Sequence, residues 1–137
     1  MTHAPVEALV EEQTRRLQAL AGAVPITSVV REATTVIVEF QHPRSRRPLA
    51  IRFRCDGYPL RPAAVDFVEP ETHNDIGASA WPTDGEQALK TTSNPRFICI
   101  PGVREYHDHH GQAVPGVHSL SLAGIFHQVL QALEVRG

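Results

Sequence analysis

Two sets of side chains in this sequence have the chemistry of a reactive site: the thiol of Cys99, and the imidazoles of Tyr106-His107-Asp108-His109-His110 with His118 beyond them. Cys99 lies in the apolar burst Phe97-Ile98-Cys99-Ile100, immediately before Pro101-Gly102. Two outcomes are open to a cysteine in that setting. Surrounded by packed side chains it is a small, inert core residue, the commoner fate of a cysteine outside a disulfide. If the chain turns sharply after Ile100, the sulfur is left instead at the edge of an irregular surface where a partner reaches it. An unperturbed thiol has a pKa of about 8.5, so a minority is thiolate near neutral pH, enough for exchange between thioesters. The other cysteine, Cys55, alternates in phase with Ile51 and Phe53 and reads as core.

His107, His109 and His110 with Asp108 are ordinary zinc ligands by type. Their spacing matches neither the metalloprotease helix signature nor a paired-cysteine site, and Gly102 and Gly111 point to a loop. A solvated histidine loop that holds no metal is therefore the expectation, and nothing in the sequence asks for a cofactor. A metal-dependent enzyme built on His107, His109, His110 and His118 is the reading that bound zinc would favour. Between these lies a third arrangement, in which one of His107, His109 or His110, with Asp108, stands beside Cys99 and handles protons for a thiol reaction. General bases near working pH are usually histidines.

The elements that must position these groups follow from periodicity. The first 22 residues place Val6, Leu9, Val10, Leu17 and Leu20 among acidic and basic residues at helical spacing, and Gly22 with Pro25 stops the helix. Residues 26–31, 34–41 and 49–55 then alternate with β-branched and aromatic residues, and 65–68 supplies a fourth strand. From residue 69 to 96 periodicity disappears, with a helical turn expected around 85–90. Leu120, Leu122, Ile125, Phe126, Val129, Leu130 and Leu133 return to helical spacing, with Ser119 or Ser121 as N-cap. A helix, a meander of consecutive strands and a closing helix make an α+β fold with helices on one antiparallel sheet, not an alternating parallel one.

Composition narrows the function. At 137 residues, 42% of them hydrophobic, the chain is long enough for one domain (1–137) and too short for two ordinary ones. Thirteen Lys+Arg against fifteen Asp+Glu leave a net charge of -2, which gives no general pull toward nucleic acid or anionic lipid. No stretch approaches the ~20 apolar residues of a membrane helix, and the start lacks a secretory pattern, so a cytoplasmic protein without a membrane partner is expected. Two cysteines cannot build a disulfide framework, and no Gly-rich phosphate loop is present.

The rigid turn Asp56-Gly57-Tyr58-Pro59-Leu60-Arg61-Pro62, followed by Val65-Asp66-Phe67, resembles the Tyr-Pro-x-x-Pro turn and last strand of the ubiquitin-conjugating (UBC) enzymes. Phe97-Ile98-Cys99-Ile100 is similar to that family's Ile-Cys-Leu active-site burst, and the helix over 120–133 to the one that follows the active site. The order of elements matches over nearly the whole chain. The resemblance implies a UBC-like fold with a long irregular active-site segment, and a cysteine, Cys99, that carries a ubiquitin-like modifier as a thioester and passes it to an amine. Its partners would be the modifier, an activating adenylyltransferase and a protein target. The family's His-Pro-Asn unit is absent as a unit; Asn94 or Asn74 would take the place of its oxyanion-holding asparagine. The Trp-Ser/Thr-Pro signature is also absent, and the histidine-rich stretch stands there instead. Such divergence resembles bacterial members encoded beside a ubiquitin-like protein, an adenylyltransferase and a deconjugating metallopeptidase, some of which look like anti-phage systems. The catalytically silent RWD domains resemble the same fold, which implies a protein-interaction module as the alternative.

Overall fold

Helix α1 (His3–Leu20) buries Val10, Gln13, Thr14 and Leu17 and leaves the Glu11–Arg15 and Glu12–Arg16 pairs in solvent, as the spacing requires. It stops at Gly22, whose φ of +100° suits glycine. The computed structural model describes residues 3–58, 60–110 and 121–137, so Pro59, His118, Ser119 and Leu120 of the motifs above lie outside the described residues.

Strands β1 (Ile26–Glu32), β2 (Thr35–Gln41), β3 (Pro48–Arg54) and β4 (Ala64–Val68) form one antiparallel sheet in the order of the chain. The register sets Val36, Phe53 and Val65 side by side, and Val38, Ile51 and Phe67 in the next row, all buried. The alternate positions face the other way. There Arg52 grips both carboxylate oxygens of Asp66 at 3.0 and 2.7 Å and reaches Asp75 at 2.9 Å. The buried face is covered by apolar residues of α1 and of the last helix, α3 (Leu122–Arg136), in one core. Phe126 of α3 meets Phe40 of β2 edge-on at 5.0 Å. Ser121 caps α3, its hydroxyl accepting the N–H of Gly124 at 3.0 Å. The protein is thus α+β, with an N-terminal helix, a four-stranded antiparallel meander and a C-terminal helix. No described helix is long and apolar enough to cross a membrane.

The segment between sheet and last helix departs from expectation in two places. Around residues 85–90 there is no helical turn; Leu89–Lys90 (β5) pairs with Phe97–Ile98 (β6) in a second, two-stranded antiparallel sheet, after a 3-10 turn at Ala78–Ala80. The histidine-rich stretch is not a loop either: Arg104–His110 is a helix, α2. Its start is held by the outer edge of β4 rather than by its own propensity. Arg104 N–H donates to the Ala63 carbonyl at 2.8 Å, and the Glu105 carboxylate accepts the Val65 N–H at 3.0 Å. The Arg104 guanidinium adds bonds to the Pro62 and Asp56 carbonyls at 3.0 and 3.1 Å.

Candidate active site

The hairpin that carries Cys99 is too short to stand on its ladder alone, and two carboxylates tie it down. Asp84, fully buried, accepts the N–H groups of Gln87 and Leu89 on Oδ1 at 3.0 and 3.1 Å, and that of Ala88 on Oδ2 at 2.7 Å. Glu86 accepts the N–H groups of Thr91 and Thr92 at 3.0 and 3.1 Å together with both hydroxyls. The Thr91 and then the Thr92 hydroxyl hold the Glu86 carboxyl down at about 2. Across the hairpin the Ala88 carbonyl accepts the N–H of Cys99 at 2.6 Å. The chain then turns: Ile100 N–H donates to the Ile98 carbonyl at 3.1 Å, and Gly102 takes a φ of +99°.

This geometry leaves Cys99 half-buried, not sealed. It lines an open groove of about 620 Å³ with Ala88 and Ile100 on the hairpin side. The opposite wall is α3, through His127, Gln128, Gln131, Ala132 and the Glu134-Val135-Arg136 end. Cys55 has the opposite setting. It is buried in the core cluster, and burial pushes its thiol up to about 12, so it stays protonated and enclosed.

None of the other described sequence candidates lines this groove. His107 accepts the N–H of Gly102 on Nε2 at 3.0 Å, which puts the proton of the neutral ring on Nδ1; that atom is buried without a hydrogen-bond partner among the described residues. The ring meets Tyr106 edge-on at 5.0 Å. His109 stacks on Phe97 with centroids 4.4 Å apart, and Asp108 is exposed. None of His107, Asp108 and His109 lines the Cys99 groove. The His110 side chain and His118 lie outside the described residues, and among those described no three His, Cys, Asp or Glu side chains gather as a metal site would need.

Asn94 is exposed and lines a second groove, of about 380 Å³, with Ser93, Arg96, Trp81 and Glu105. There the Arg96 guanidinium lies 5.5 Å from the centre of the Trp81 ring. Asn74 is exposed in the turn after β4, its carbonyl accepting the Glu69 N–H at 2.8 Å. The polar side chains that share the groove with the thiol, His127, Gln128, Gln131, Glu134 and Arg136, belong to no motif in the sequence. Their only signal was position: each falls off the apolar stripe of the last helix, where a polar residue reads as solvated.

Compared with known proteins, the chain matches no protein-family model and no curated protein.

Proposed function

We propose that the protein is an acyl carrier of the ubiquitin-conjugating type, with a UBC-like fold, that holds a ubiquitin-like modifier as a thioester on Cys99 and transfers it to an amine of a protein target. The observation that carries this reading is the contrast between the two thiols: Cys99 lines an open groove that His127 also lines, whereas Cys55 is enclosed and held protonated. In the first step the Cys99 thiolate attacks the carbonyl carbon of a thioester on the activating adenylyltransferase. A new carbon–sulfur bond forms, the old one breaks, and the partner's sulfur leaves as thiolate. Exchange between thioesters is nearly balanced, so presenting the sulfur and orienting the incoming group are the main tasks of the fold. In the second step an amine attacks the Cys99 thioester, loses a proton and expels the sulfur. A lysine amine has a pKa of about 10.4, so this step needs a base, and among the described residues His127 is the imidazole that shares the groove.

Incubation with a ubiquitin-like modifier, its activating enzyme and ATP should give an adduct cleaved by thiol reductants. Cys99→Ser should convert it to a reductant-resistant ester, and Cys55→Ser should leave it unchanged. An adduct that depends on Cys55, or none at all with a competent activating enzyme, overturns the reading. Three observations favour a second reading, a catalytically silent RWD-like interaction module. The N–H groups of Cys99 and Ile100 are both spent on carbonyls, the residue facing Cys99 across the hairpin is the donorless side chain of Ala88, and Asn94 lines a different groove. That module forms no adduct in the same experiment.

A further inference from the structure

Between Asp84 and Thr92 the chain has only the two-residue strand β5, yet it carries the carbonyl on which Cys99 is hung. Regular structure is replaced by side chain to backbone bonds. Three consecutive N–H groups, of Gln87, Ala88 and Leu89, converge on the one buried carboxylate of Asp84. Charge-assisted bonds of this kind are roughly twice as strong as neutral ones, and three of them compensate a carboxylate that is 0% exposed. The middle donor belongs to Ala88, whose own carbonyl accepts the Cys99 N–H at 2.6 Å. A chain of contacts therefore runs from the Asp84 carboxylate to the Cys99 backbone through the peptide between Ala88 and Leu89, whose N–H goes to Asp84 and whose carbonyl accepts the Cys99 N–H. Ala88 and Cys99 both line the groove opposite α3.

We propose that Asp84 is a positioning residue for the Cys99 thiol, setting its place in the groove through Ala88. The functional half of this proposal rests on Cys99 being the acyl-carrying group; the tether itself does not.

Asp84→Asn is the direct test. The amide keeps the shape and one acceptor oxygen but turns an N–H₂ toward donors, so at least one of the three bonds is lost. Three measurements on the full chain are compared with wild type: amide exchange at Cys99 with Val38 as internal control, alkylation by iodoacetamide, and acyl exchange with a peptide α-thioester followed by intact mass. Cys99 should exchange about tenfold faster, because its local opening no longer breaks the full tether, with Val38 reporting any change in global stability. Alkylation of Cys99 should rise about threefold and acyl exchange fall about tenfold, since a small reagent needs only access whereas a bulky thioester needs orientation.

An unchanged Cys99 amide overturns the proposal, whether or not Val38 is accelerated by lower global stability, as does unchanged acyl exchange. Should Asp84→Asn fail to fold, Gly85→Ala decides by the same criteria. Its Cβ meets nothing within 4 Å and strains only a φ of +73°, so it disturbs the loop without a clash. A wild-type protein that alkylates at Cys99 but accepts no acyl group from the peptide thioester sinks the carrier reading and the functional half with it. The exchange data still decide the tether.

Discussion

The side-chain oxygen of Gln13 accepts the backbone N–H of Leu122 at 3.0 Å, so a residue of the first helix caps the last. Leu122 opens α3 and its N–H has no partner inside the helix. Gln13 is itself only 5% exposed, so water does not replace it. Gln13→Met keeps the volume and removes the acceptor. It should cost about 1–3 kcal/mol, the penalty of a buried unsatisfied donor. Thermal denaturation checks this; at roughly 3–5 °C per kcal/mol for a chain of this size the loss is easily resolved, and an unchanged melting temperature removes the cap.

The two thiols should report their surroundings without any partner protein. In the native state Cys99 should react with iodoacetamide on the order of 10²-fold faster than Cys55, whose thiol is enclosed and pushed up to about 12. In denaturant the two rates should converge. Mass spectrometry of timed, digested samples measures both, and equal native rates would contradict the burial contrast.

At the edge of β4 the half-buried Glu105 carboxylate receives the Val65 N–H, and burial raises its pKa from its ordinary value. An acid whose folded-state pKa is raised is penalised once ionised. Its contribution is most favourable below the ordinary value and is lost as pH climbs through the raised one. Glu105→Gln, which keeps an acceptor for Val65, should therefore gain stability relative to wild type at pH 7 and show little gain at pH 4. Glu105→Ala should lose about 1–3 kcal/mol at both, having orphaned the Val65 N–H. Urea midpoints at the two pH values separate these outcomes.

The contrast between what periodicity revealed and what it concealed has a physical basis. Each strand of the meander lies within one residue of its expected ends, because Val36, Val38 and Phe40 or Ile51 and Phe53 are in the core for the same reason they alternate. The α3 stripe was equally legible. The Cys99 hairpin and α2 were not, since they are held by contacts such as Asp84 on three backbone N–H groups and Arg104 on the carbonyls of Asp56 and Pro62. Such bonds leave no period in the sequence. His127 was invisible for a related reason: whether a polar helix position faces water or a groove depends on an element that packs from elsewhere.

Glu86 provides a second pH-dependent test, on the acid side. With its carboxyl held at about 2 by the hydroxyls of Thr91 and Thr92, its ionised form supports the folded state. That support is complete above the ordinary carboxylate value of about 4.5 and is lost as pH falls toward about 2. Wild type should therefore lose melting temperature more steeply than Glu86→Gln between those two pH values, and the two curves should run parallel above pH 6. Parallel curves throughout would mean that the threonine contacts do not hold the carboxylate in solution.

The last prediction concerns the division of labour in the groove. His127 stands exposed on α3, and it shares the groove with Cys99 while His107 is committed to Gly102 and His109 to the Phe97 ring. On the proposed carrier reading, charging Cys99 exchanges one sulfur for another and needs no strong base, whereas attack by an amine must shed a proton. His127→Ala should thus leave the yield of the Cys99 thioester within about twofold of wild type and slow its discharge onto free lysine on the order of 10²-fold, the usual contribution of a positioned base. Imidazole added to the buffer should restore part of the discharge rate in the variant and do little to wild type. Single-turnover discharge of the purified thioester measures this without interference from charging. Equal discharge rates with and without His127 would move the base to another residue and leave α3 as a passive wall.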